Sequence, residues 1–146
     1  MSSKNTLRSK KVIICGRSNR ARPTEEVREE GWELWYLGTE TRDGGDKYFE
    51  LHDIPCRHEG AIRELPDEVY TQGMPVNNSI SALAVYAWLE GYTEIKIKGC
   101  AMVAKNEYLE QRPAVAYVVG FLNGKGVKCE WTDGPENINY GRKTKR

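Results

Sequence analysis

Lys11-Val12-Ile13-Ile14-Cys15 shows no polar alternation before Gly16 halts it, which is how a strand buried on both faces reads. Such a run needs cover from two sides, and a parallel sheet with helical crossovers supplies it. After the loop Arg17 to Arg22, Pro23 and Thr24 open a short acidic helical stretch that Gly31 ends, and Trp32 to Leu37 follows as a second strand. Lys47 to Leu51 is a third strand. The segment from Asp53 to Pro75, broken by Pro55, Gly60, Pro66 and Gly73, reads as loop with one helical turn near Ala61 to Leu65.

The next segment is helical from Ser79 to Glu90, because Ile80, Leu83, Ala84, Ala87 and Trp88 recur with the helical period as one apolar stripe. Asn77, Asn78 and Ser79 supply its cap and Gly91 ends it. Glu94 to Lys98 alternates as a fourth strand stopped by Gly99. A last helix is predicted from Pro113, with Ala114, Tyr117, Val118, Phe121 and Leu122 on one face, up to Asn123-Gly124. Val127 to Trp131 is the fifth strand. The expectation is α/β: a small Rossmann-like three-layer domain with a mostly parallel sheet of about five strands.

At 146 residues the chain has room for one such domain. It is expected over residues 11–140, between basic tails at 1–10 and 141–146 that carry no apolar period. Lys plus Arg is 22 against 21 acids, so no overall field attracts nucleic acid, and no basic stripe interrupts the core pattern. A nucleic-acid partner is not expected. No apolar run spans a bilayer and none follows the first charges as in a signal peptide, so a cytoplasmic protein with no membrane partner is expected. Cys15, Cys56, Cys100 and Cys129 are widely spread without C-x-x-C and read as reduced and mostly buried.

In an open parallel sheet the ligand crevice lies outside the carboxyl ends of the strands, where strand order reverses. That rule nominates Gly16 to Arg22, Gly38 to Asp43, Glu50 to Asp53 and Cys100 to Arg112, together with Asn77 to Ser79. Gly16, Arg17, Ser18, Asn19 and Arg20 combine a glycine, a hydroxyl, an amide and two cations, a set suited to phosphate or sugar. Neither a Walker motif nor G-x-G-x-x-G is present, and a solvated polar turn is the competing reading. Asn78 and Ser79 open a helix whose unpaired amides and dipole favour an anion, though they are also ordinary cap residues.

Glu50 and His52 stand two apart, on one face of an extended strand, and are candidates for acid or base chemistry. His52, Cys56 and His58 lack a fourth ligand at zinc spacing, so no metal and no cofactor are expected. Glu107, Tyr108 and Arg112 cluster polar groups before the last helix, where Arg112 suits a bidentate phosphate contact or, alternatively, a solvated turn.

The stretch from Asn78 to Gly99 resembles a segment in a group of phage proteins of uncharacterised function. Phe49-Glu50-Leu51-His52, Glu107-Tyr108 with Gln111-Arg112, and the glycine-ended first strand with Ser18-Asn19 fit the same group. The pattern of serine, apolar helix, Gly-Tyr, Glu-Ile and glycine-ended strand is also similar to bacterial sialyltransferases of glycosyltransferase family 42 and to 6-hydroxymethylpterin pyrophosphokinase-like proteins. The resemblance covers scattered blocks of residues 11–131 and is most specific over 78–112.

It implies a nucleotide site in which Ser18-Asn19 and Asn78-Ser79 contact phosphate, ribose or base. This chain departs from the pattern at Ala101, where an acid is usual, and in a segment 53–76 that is short for a transferase acceptor lid. Binding survives these departures better than catalysis. The expected partner is a nucleotide-like small molecule, withheld from a host or turned over by a reduced transferase or an active nucleotide-sugar-dependent enzyme. The host cytoplasm is its place if the chain is phage-encoded. The competing class is a host-protein interaction module, or a homo-oligomer, that uses Trp32, Trp35, Trp131 or Tyr140 as aromatic anchors.

Overall fold

The computed structural model describes residues 10–16, 29–37, 44–52, 59–98 and 108–132, with the side chains of 108–110 left aside. The elements are β1 (Lys11–Cys15), β2 (Glu33–Leu37), β3 (Lys47–Phe49), a single 3-10 turn (Asp67–Tyr70), α1 (Ser79–Leu89), β4 (Glu94–Lys98), α2 (Tyr108–Gly124) and β5 (Lys128–Trp131). The strands form one five-stranded sheet in the order β3-β2-β1-β4-β5. Every neighbouring pair is parallel, so this is the α/β Rossmann-like arrangement expected from the alternation of runs.

Alternation along the strands sorts side chains to two faces. Val12, Ile14, Trp35, Leu37, Phe49, Ile95, Ile97, Cys129 and Trp131 share one core with α1 and α2. Ile13, Cys15, Leu34 and Tyr36 are buried on the other face, beside Trp32 and Tyr48. Cys15 and Cys129 are buried within these cores, while Cys56 and Cys100 lie outside the described residues.

On β4 the second face is charged: Lys96 and Lys98 bridge Glu29 at 2.8 and 3.2 Å. Lys96 also lies 4.6 Å from the centre of the Trp32 ring. Gly31 adopts φ +85°, as a helix-ending glycine does, but the helical stretch expected after Pro23 lies mainly in residues outside those described.

α1 is buried around most of its circumference rather than along one stripe, since Ser81, Ala82 and Val85 join Ile80, Leu83, Ala84 and Ala87. The sheet, α2 and the 3-10 turn all pack on it, and its small residues permit that approach. Both helices end in the same way. The amides of Gly91 and Tyr92 donate to Trp88 and Ala87 carbonyls at 3.0 Å, and those of Gly126 and Val127 donate to Asn123 and Leu122 at 3.1 and 3.0 Å. Gly91 (φ +93°) and Gly126 (φ +92°) supply the left-handed residue that this motif requires, so Gly126 rather than Gly124 turns the chain out of α2.

Three local expectations are corrected. Residues 61–65 form no helical turn: Ile62 bridges Phe49 in parallel, donating to Tyr48 O at 2.7 Å and accepting from Glu50 N at 2.9 Å. Pro66 disfavours helical geometry at Leu65 and suits the start of a turn, so the single turn begins at Asp67, where Val69 anchors it in the core.

The second correction concerns the start of α2, which is Tyr108 and not Pro113. Proline near a helix start loses one of the first interior hydrogen bonds, and α2 accommodates that loss at Pro113. Third, its buried face is Ala114, Val115, Val118, Val119 and Leu122, whereas Tyr117 is 53% exposed. Phe121 instead packs edge-on against Trp88, with ring centres 5.8 Å apart.

Candidate functional site

Strand order reverses beside β1, with β2 on one side and β4 on the other. At the carboxyl end of this switch point Cys15 stands opposite Lys98, and the buried Gly16 donates its amide to Lys98 O at 2.8 Å. Gly16 is therefore where the sequence rule puts it. Arg17, Ser18, Asn19, Arg20 and Glu107 lie outside the described residues, as do Cys56, His58 and Tyr140.

Asn78 is the α1 cap residue. Its extended backbone turns Oδ1 toward the helix, where it accepts from Ser81 N at 3.0 Å, and Ser81 Oγ returns a bond to Asn78 O at 3.1 Å. The amides of Ser79 and Ile80 have, by position, no carbonyl a turn earlier in the helix, and the dipole's positive end lies there. Asn78 Nδ2 also donates to Asn77 Oδ1 at 2.8 Å and to Gln111 O at 3.4 Å. That last contact ties the start of α1 to the first turns of α2, a pairing that cap propensity in the sequence does not disclose. Two helix starts thus meet at one edge of the sheet.

Arg112 is half-buried with its guanidinium 4.9 Å from the centre of the Trp131 ring. At that distance the cation meets the ring in a cation–π contact. Trp131, considered as a surface anchor from its type, is buried in the core. Trp35 is likewise buried, among Phe49, Tyr86 and Tyr92, and Trp32 is half-buried.

Glu50 follows β3 at the same carboxyl edge and is only 1% exposed. Its Oε2 accepts from the backbone amide of His52 at 3.1 Å. Oε1 is the one buried side-chain oxygen or nitrogen among the described residues that makes no hydrogen bond. Arg63 Nη1 donates to the carbonyls of His52 and Glu50 at 3.0 and 3.5 Å, binding the flanking segment to this corner. His52 is exposed, so acid and imidazole do not share one environment; the link between them runs through the His52 amide. The burial of Glu50 carries no sequence signal, because Phe-Glu-Leu-His reads equally as a solvated strand end.

Among the described residues no three His, Cys, Asp or Glu side chains gather as a metal set, and no helix is long and apolar enough to cross a membrane. Compared with protein-family models, curated proteins and solved structures, the chain matches none.

Proposed function

We propose that the chain binds a nucleotide or nucleotide derivative at the carboxyl edge of its sheet, and acts as a ligand-withholding protein of phage anti-defence type or as a reduced transferase. The observation that carries this reading is the junction of the two helix starts through Asn78 beside the β1/β4 switch point. Helix amides and a positive dipole end favour phosphate, and a switch point provides the crevice. The Arg17 to Arg20 loop, Glu107, Tyr108 and Arg112 belong to the proposed site by their place in the chain.

The withholding form binds its ligand and returns it intact, whereas the transferase form consumes a nucleotide-sugar and uses Glu50 or His52 as acid or base. The interaction-module reading is less favoured, because Trp35 and Trp131 are buried.

A melting-temperature panel with nucleoside mono- and triphosphates and nucleotide-sugars separates these readings. A ligand at 100 times its dissociation constant adds about 2.7 kcal/mol to stability, a shift such a panel resolves. A shift with the ligand recovered unchanged supports withholding, and conversion supports the transferase. No shift across the panel removes the basis for both.

A further inference from the structure

We infer that Glu50 reads the nucleoside part of the ligand, its Oε1 accepting a hydrogen bond from a hydroxyl or amino group and excluding phosphate from that corner. The inference rests on the nucleotide reading of the edge and deepens it. Three features converge on Glu50. Buried polar atoms are nearly always paired in folded proteins, and Oε1 alone among those described is not. The carboxyl group is already oriented, because the His52 amide holds Oε2 at 3.1 Å. The backbone around it is held in place, since Arg63 Nη1 donates to the carbonyls of His52 and Glu50.

Placement separates this corner from the phosphate end. β3 lies two strands from β1, or roughly 10 Å along the edge at ordinary strand spacing. A nucleotide laid along the edge with its phosphate at the switch point would therefore carry its sugar or base toward Glu50. Phosphate at neutral pH offers acceptors and negative charge, both of which a carboxyl oxygen rejects. Ribose hydroxyls and exocyclic amines offer donors, which it accepts.

Calorimetric titration tests the inference. The probes are the four common ribonucleoside 5′-monophosphates, their 2′,3′-dideoxy analogues and inorganic pyrophosphate, against wild type and Glu50→Leu. Wild type is expected to bind at least one nucleotide about 10-fold or more tighter than an analogue lacking the donor that Glu50 reads. Loss on removing the sugar hydroxyls assigns ribose, and discrimination by base amine assigns the base. Glu50→Leu is expected to abolish that preference while keeping pyrophosphate affinity. Should Glu50→Leu fail to fold, the wild-type analogue series decides alone. If nucleotides bind but preference is absent from wild type, or unchanged in Glu50→Leu, Glu50 is a packing residue and only this inference falls. If no probe binds wild type, the nucleotide reading falls and takes the inference with it.

Discussion

Glu33 and Glu50 are the same residue type at opposite edges of one sheet, and their surroundings differ in kind. Glu33 opens β2 at the amino edge, where Oε1 accepts from Trp35 Nε1 at 2.9 Å and Oε2 from Tyr92 Oη at 2.7 Å. Burial, and then the bond to Glu33, hold the Tyr92 phenol far above its ordinary titration range, so it remains a neutral donor at any working pH. Further bonds close this end: Thr93 N donates to Lys10 O at 2.9 Å, and Lys10 Nζ donates to Glu90 O at 2.9 Å. At the carboxyl edge Glu50 is more deeply buried yet has one oxygen unmatched. A network that uses both carboxyl oxygens on its own fold is structural, whereas a buried carboxyl left half matched is suited to an outside donor.

Substitutions should separate the two glutamates, beginning with the largest effect. Glu33→Ala leaves a buried phenol and an indole N–H without their acceptor and is expected to cost about 2–4 kcal/mol in denaturant unfolding. Ligand affinity of the folded protein should not change. Asn78→Ala removes the α1 cap for about 1 kcal/mol and, unlike Glu33→Ala, should also weaken ligand binding, read by calorimetry. Glu50→Leu should alter unfolding stability by less than about 1 kcal/mol, because the amide bond it loses is offset by removal of an unmatched polar atom. A large loss of stability there would make Glu50 a second Glu33.

The smallest effect concerns pH. The Lys96 hydrogen bond, opposed by desolvation and helped by Lys98, holds the Glu29 carboxyl below its ordinary value of 4.5. A depressed acid stabilises the fold above its unfolded value and loses that contribution as pH falls through the folded one. The stability gap between wild type and Glu29→Gln should thus be about 0.5 kcal/mol or less at neutral pH and close below pH 4.5, followed by urea midpoints.

How legible these features were follows from their range in sequence. The bounds of β1 and β4 are those read from Lys11-to-Cys15 and Glu94-to-Lys98, because each run is purely local and ended by a glycine. α1 and its Asn78 cap were legible for the same reason. The start of α2 was hidden by Pro113, whose usual place is a first turn, and the true face of that helix by Tyr117, which is apolar enough to mimic a core residue. The Ile62 bridge to Phe49, the Asn78 contact with Gln111 and the Arg112 cation–π contact with Trp131 each depend on residues far apart in the chain. No local pattern encodes them. The Glu33 network was not legible either, because Tyr92 stands far from Glu33 in the chain and Trp35 reads from its type as an aromatic anchor.

The most direct measurement is mass spectrometry of whatever small molecule denaturation releases from protein purified without added nucleotide, with Asn78→Ala purified in parallel. A nucleotide-like compound in near-stoichiometric amount from wild type, and markedly less from Asn78→Ala, is the expected result. Equal release from both would contradict a ligand seated at the joined helix starts. No release from either, with no nucleotide raising the melting temperature, would contradict a nucleotide site at this edge.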